Sequence, residues 1–220
     1  MTRIFIALIL SYLTGSIPTA YIFGKITKRI DLRQYGSGNL GATNAFRVLG
    51  KRIGATVLIL DILKGLMAVL FSKTYFYSQV SGVSENLFLC LTALAVVSGH
   101  NWTIFLGFKG GKGIATSFGV LIAFSILIER FFWLALAAIF SWLIIFLIYG
   151  FVSLASVICS ITLPILAIFF YLPKEIVFFL LILGAFSLIR HNSNIIRLLQ
   201  KKESRFDTKT FLNKLFFSGK

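Results

Sequence analysis

The densest polar chemistry in the chain lies in Gly36-Ser37-Gly38-Asn39-Leu40-Gly41-Ala42-Thr43-Asn44-Ala45-Phe46-Arg47. Gly36, Gly38 and Gly41 permit left-handed backbone, so successive N–H groups can turn toward one anion. Ser37, Asn39, Thr43 and Asn44 add hydroxyl and amide donors. The Arg47 guanidinium can hold a phosphate through two parallel hydrogen bonds. The competing reading is a polar loop that caps the next helix; Arg47 within so short a compass tips the balance toward phosphate.

A second segment, Gly107-Phe108-Lys109-Gly110-Gly111-Lys112-Gly113, runs directly into an apolar stretch. Amides at Gly110, Gly111 and Gly113, a helix N-terminus and lysines together suit an anion. It is not a Walker A loop: Leu106 stands where the first glycine belongs and Gly113 where Ser or Thr belongs. A tight interfacial turn with two snorkelling lysines fits the same residues.

The third segment is Arg190-His191-Asn192-Ser193-Asn194-Ile195-Ile196-Arg197. A helix continuing past the membrane edge puts His191 and Asn194 on one face, with Arg190 and Arg197 at neighbouring steps. Histidine there moves a proton or donates a hydrogen bond, whereas Arg190 and Arg197 read as headgroup anchors. His100, in Gly99-His100-Asn101-Trp102, reads as structural at an interface. Asp61 and Lys64 share a helical face inside an apolar run, where charge is costly. They are either a self-neutralising pair or a floor that positions the glycine loops.

Absences narrow the chemistry. Neither His is followed four or five residues later by a carboxylate, and no Gly-x-Ser-x-Gly elbow or His-Glu-x-x-His pair occurs. The carboxylates available beside the polar clusters are Asp31, Glu203 and Asp207, too few for a Mg²⁺ or two-carboxylate mechanism. Neither a strong general base nor an activated nucleophile stands out, and no metal or cofactor is expected. Cys90 and Cys159 sit in apolar runs and read as small buried residues.

The elements that must position these clusters are membrane helices. Of 220 residues, 58% are hydrophobic and 13% charged, against roughly 45–50% and ~25% in soluble domains. The excess falls into charge-poor blocks near residues 4–23, 53–71, 87–106, 114–128, 131–149, 151–172 and 175–190. Most match the ~20 residues that cross a bilayer; the fourth and seventh are short. A soluble globule, a disordered regulator and a disulfide scaffold are excluded. The first block lacks an Ala-x-Ala cleavage site, and Gly15, Pro18 and Tyr21 continue it, so it reads as a span.

Charge sets the topology. On a seven-span arrangement, 17 of the 22 Lys and Arg share one face: seven between Lys25 and Arg52, Lys109 and Lys112, and eight from Arg190 to Lys220. Only Arg3, Lys73, Arg130 and Lys174 fall opposite. The positive-inside rule then puts the N-terminus outside and the C-terminus in the cytoplasm, in an all-α polytopic bundle of a single domain, 1–220. The net charge of +15 fits contact with anionic lipid. It also suits anionic substrates, whereas no basic stretch is large enough for nucleic acid.

Taken in order, these residues resemble the bacterial membrane glycerol-3-phosphate acyltransferases that use acyl phosphate. The resemblance rests on Gly15-Ser16-Ile17-Pro18, the run from Ser37 to Arg47, Asp61-x-x-Lys64-Gly65 and Gly99-His100. It extends through Phe108 to Gly113, Val152-Ser153-Leu154 and Arg190-His191-x-x-Asn194-Ile195-x-Arg197-Leu198. Thr103 departs from the family's usual proline, and Lys201 from its frequent glycine.

The resemblance implies seven transmembrane helices in the bacterial inner membrane, with the site on the cytoplasmic face. It implies transfer of a fatty acyl group from acyl phosphate to the 1-hydroxyl of glycerol 3-phosphate, giving lysophosphatidic acid and phosphate. Ser37, Arg47 and Lys112 would bind phosphate, and His191 and Asn194 would hold glycerol 3-phosphate. Gly38, Asn39, Gly41, Thr43, Asn44, Gly110, Gly111 and Gly113 would shape the substrate site, with Asp61, Lys64 and His100 in support. A functional link to the enzyme that supplies acyl phosphate follows. The rivals are a transporter or binding protein for an organic phosphate, and transfer from acyl-CoA.

Overall fold

The computed structural model describes residues 2–208; Lys209, Lys214 and Lys220, counted above in the basic tail, lie outside them. The described residues form ten α-helices and no strand. They are α1 Thr2–Ser16, α2 Thr19–Lys28, α3 Ala42–Leu49, α4 Lys51–Tyr75, α5 Glu85–Asn101, α6 Ile114–Leu127, α7 Phe131–Tyr149, α8 Val152–Phe169, α9 Lys174–Arg190 and α10 Asn192–Leu199. Apolar helices are the form that satisfies every backbone polar group inside hydrocarbon.

Five helical stretches are long and apolar enough to cross a membrane: Thr2–Lys28, Lys51–Gln79, Glu85–Leu106, Phe131–Tyr149 and Val152–Phe169. A sixth qualifies if α9 and α10, bent by 61°, count together. Helix α6 is apolar but has 14 residues, about 21 Å at 1.5 Å per residue and short of a ~30 Å core. Large side chains such as Phe5, Ile59, Phe140 and Ile165 stay exposed on the outside of the bundle, as lipid contact requires.

Two apolar blocks are helically discontinuous, although the first still qualifies as one membrane span, Thr2–Lys28. The first apolar block is not one helix: it breaks at Ile17-Pro18, and α2 runs on to Lys28. Pro18 has no N–H to donate, and it disfavours helical geometry at the residue before it. The last block does not continue straight past the membrane edge either. It bends at His191, whose N–H bonds the carbonyls of Ser187 and Leu188, while its own carbonyl accepts from Asn194 and Ile195 as α10 begins.

Helix α1 packs on α5, and α4 on α6. Both contacts depend on reciprocal glycines. A Cβ on Gly15 would lie 1.9 Å from the Val96 carbonyl oxygen, and one on Gly99 2.1 Å from that of Tyr12. Gly65 and Gly119 press likewise on Thr116 and Ile62, the close backbone approach that drives helix association in lipid. The main core lies among α1 and α4–α9, filled by Phe88, Phe124, Phe131 and Phe179. A separate small core of Ala20, Leu32, Leu40, Ala45, Leu49 and Val57 anchors the polar segment before α3. With Leu32 and Leu40 buried on either side, the intervening Ser37 and Asn39 cannot swing freely away.

Candidate functional site

The break in the first apolar block leaves unpaired backbone groups inside the bundle, and α4 supplies their partners. Lys64 Nζ donates to the Ile17 carbonyl at 3.0 Å and pairs with Asp61 Oδ1 at 2.9 Å. Thr19 Oγ1 donates to the same Asp61 oxygen at 2.6 Å. Asp61 is wholly buried and Lys64 nearly so, so each charge depends on the other. The pair therefore holds the helix break. It also reaches toward the glycine loop: His100 Nδ1 lies 3.6 Å from Asp61 Oδ1, and His100 forms one wall of the backbone turn that follows.

That turn is the second polar segment. Gly111 N–H donates to the His100 carbonyl at 2.9 Å and Gly110 N–H to that of Asn101 at 3.2 Å. Only glycine fits at 111, where a Cβ would stand 2.1 Å from His100 Nε2. Phe108 adopts left-handed backbone, φ 61°, a strained conformation of the kind that clusters at functional sites. Gly113, also left-handed, starts α6 immediately after Lys112, which puts the Lys112 backbone at the positive end of that helix.

The third segment closes onto this loop. Arg190 spans it, donating from Nε to the Gly111 carbonyl at 2.9 Å and from a terminal nitrogen to that of Gly110 at 2.8 Å. Its guanidinium also stacks near Trp102. The headgroup anchor expected at Arg190 is thus a clamp on the glycine turn. Lys112 Nζ donates to Asn194 Oδ1. Buried His191 engages the Ser187 carbonyl through Nδ1 at 2.9 Å. A carbonyl only accepts, so Nδ1 carries the hydrogen and a neutral ring keeps its acceptor at Nε2.

The first segment contributes from the side. Asn44 spends its amide on loop backbone, accepting from Ser37 N–H at 2.9 Å and donating to the Tyr35 carbonyl at 3.0 Å. It shapes the loop, while Ser37, Thr43 and Arg47 remain exposed. Leu40 lines a narrow cavity together with Pro18, Lys64, His100, Gly110 and Gly111, joining the first two segments. The charge of Arg47 is felt at Lys112.

Electrostatics follow from this crowding. Burial, opposed by the charge of Glu203 and reinforced by Arg197, Arg190 and Arg47, pushes the Lys112 ammonium down to about 8. Such a cation cluster waits for an anion. Asp31, one of the few carboxylates nearby in sequence, is spent on Arg33, whose side-chain bonds hold it down to about 2. Among the described residues, no three His, Cys, Asp or Glu side chains converge as a metal ion requires. Cys90 and Cys159 are free thiols.

Glu203 was not among the expected site residues. Its carboxylate accepts from Asn194 Nδ2 at 2.6 Å, Arg197 Nε at 2.7 Å and Ser153 Oγ at 2.8 Å. Burial alone would raise its pKa, but these bonds and the Arg197 charge hold it below the usual carboxylate range. Its one visible signal in the sequence is an isolated acid in a run of Arg197, Lys201 and Lys202.

Along most of its length the chain is similar to known glycerol-3-phosphate acyltransferases. The family model for glycerol-3-phosphate acyltransferase matches residues 5–201. A glycerol-3-phosphate acyltransferase of Thermoanaerobacter sp. is 44% identical over 202 residues, covering 92% of this chain and 95% of its own. One of Streptococcus sanguinis is 42% identical over 212 residues, covering 93% and 92%. The crystal structure of PlsY (YgiH), an integral membrane glycerol 3-phosphate acyltransferase in its glycerol 3-phosphate form, superimposes with a TM-score of 0.82 at 39% identity. That match covers 95% of this chain and 98% of PlsY. The lysophosphatidic acid form of PlsY gives 0.79 at 38% identity, over 93% and 96%. With its family model matched almost end to end and its apolar helices arranged as in an integral membrane relative, this chain belongs to the glycerol-3-phosphate acyltransferase family.

Proposed function

We propose that this protein transfers a fatty acyl group from acyl phosphate to the 1-hydroxyl of sn-glycerol 3-phosphate, by direct displacement and without an acyl-enzyme. The observation that carries the reading is the meeting of Lys112 with Asn194, at a point where the charges of Arg197, Arg190 and Arg47 are felt. Cations from three distant segments converge where few carboxylates can repel two phosphates. The glycerol 3-phosphate and lysophosphatidic acid forms of PlsY, a substrate and a product of such a transfer, support the same acceptor.

Acyl phosphate is an activated mixed anhydride with a good leaving group. The acceptor hydroxyl oxygen attacks the acyl carbonyl carbon, the carbon–oxygen bond to phosphate breaks, and inorganic phosphate departs. The hydroxyl proton passes to the leaving phosphate, so no strong protein base is needed. In this reading Ser37, Arg47 and Lys112, with the amides of Gly38, Gly41, Gly110, Gly111 and Gly113, bind phosphate oxygens. His191 and Asn194 hold glycerol 3-phosphate, and Asn39, Thr43 and Asn44 complete the loop. Asp61, Lys64 and His100 support the glycine turn and the helix break beside it. Alignment of two reactants is worth ~7–11 kcal/mol, and each preorganised donor on a developing oxyanion ~3–4 kcal/mol.

Residues 1–220 act as one domain that crosses the bacterial cytoplasmic membrane seven times, N-terminus outside, with the site open to the cytoplasm. The alkyl chain of the donor stays in the bilayer, and the enzyme that makes acyl phosphate is the natural functional neighbour. The test uses purified protein with labelled glycerol 3-phosphate and, in turn, acyl phosphate, acyl-CoA and acyl carrier protein. Product with acyl phosphate alone is expected; turnover only with a thioester would overturn the donor assignment.

A further inference from the structure

We infer that Glu203 is a positioning residue of the transfer site: its carboxylate fixes the Asn194 amide whose oxygen holds Lys112. The inference rests on the reading above, in which Asn194 and Lys112 act on substrate. Lys112 can only donate and the Glu203 carboxylate can only accept. Between them, the Asn194 amide has one orientation, Oδ1 toward Lys112 and Nδ2 toward Glu203. Without Glu203 nothing on that side prevents the amide from turning its NH₂ toward the ammonium, which would push Lys112 away.

The backbone delivers the carboxylate firmly. After α10, Lys202 N–H bonds the Arg197 carbonyl at 2.8 Å. Phe206 N–H then bonds the Gly150 carbonyl at 2.8 Å, and its ring packs on Phe146 at 5.6 Å. Ser153, in the first turn of α8, and Arg197, in the last turn of α10, hold the two carboxylate oxygens separately. The segment after α10 is thereby tied to α8 across the site, and Glu203 is the knot. A network of charge-assisted bonds of this kind sets side-chain geometry more tightly than any single member.

Exchange of partners tests the inference. Glu203→Gln should lower kcat per folded molecule about 10-fold or more, the scale of one lost charge-assisted bond, alongside a lower melting temperature from the weakened bonds to Ser153 and Arg197. Asn194→Asp sets two carboxylates face to face and should cost about 100-fold or more. The double variant Asn194→Asp with Glu203→Gln restores donor to acceptor with the roles reversed. It should outpace Asn194→Asp alone by about 10-fold, a recovery that a merely structural role would not produce. Wild-type kcat and KM in Glu203→Gln, or a double variant no faster than Asn194→Asp, would overturn the inference. Wild-type turnover in both Lys112→Ala and Asn194→Ala would instead overturn the site reading beneath it.

Discussion

Lys112 and Asn194, 82 positions apart, meet through a hydrogen bond from the ammonium to the amide oxygen. Neither residue's neighbours in sequence require this. It joins the turn before α6 to the first turn of α10 and brings the cationic loop to an amide that Glu203 holds in place.

Replacing Lys112 or Arg47 with alanine should lower transfer about 100-fold or more, the cost of a donor aimed at developing charge. Both variants should still insert and melt normally, because Arg47 is exposed and Lys112 is only partly buried. Radiolabelled product formation in detergent, beside a melting curve, separates the two effects. Near-normal turnover would dismiss the phosphate clamp.

The pH dependence carries two opposite signs. The free protein's Lys112 titrates at about 8, so affinity for the glycerol 3-phosphate dianion should fall as pH rises through that value. Binding near pH 8 should take up a proton, visible as a buffer-dependent heat by calorimetry. Stability runs the other way. The unfolded lysine holds its proton to about 10.4, so between that value and about 8 the unfolded state binds more protons and this group's contribution rises with pH. A KM that is flat from pH 7 to 9.5 would contradict the first sign.

Asp61→Asn leaves Lys64 as a buried, unpaired cation and should destabilise the protein by about 3–5 kcal/mol. Lys64→Met alone should do comparable harm, by stranding Asp61 and freeing the Ile17 carbonyl. Removing both charges together should be milder than either single change, which a thermal-shift series in detergent would register. Additive losses would mean that the two do not act as a pair.

Gly111→Ala should disable the enzyme by driving a Cβ into the His100 ring. Adding His100→Ala removes that obstacle and should restore part of the activity. No recovery in the double variant, while His100→Ala alone stays active, would show that the methyl itself, rather than the clash, blocks the site.

Chemical trapping during turnover should find no acylated side chain, and Ser37→Ala should lose rate through weaker phosphate binding alone. A stable acyl-Ser37 adduct by mass spectrometry would instead demand a two-step route.

Much of this protein is written in its sequence because the bilayer is so strict a solvent. Apolar length locates the long apolar helices within a few residues, though not the short α3 and α10, and glycine, amide and cation clusters mark the chemistry, since few other compositions can gather backbone N–H groups around an anion. What a linear reading could not supply was the pairing across segments. Pro18 announces a local break, but only the packed bundle shows Lys64 of α4 repairing it. Arg190 looks like a lipid anchor until the fold lays it against Gly110 and Gly111. Glu203 looks like a stray acid in a basic tail until the chain after α10 folds back to Asn194. Covalent order dictates which groups exist and which helix bears them; distances between helices arise from side-chain packing, and it is there that an arginine, a glutamate and an amide acquire their partners.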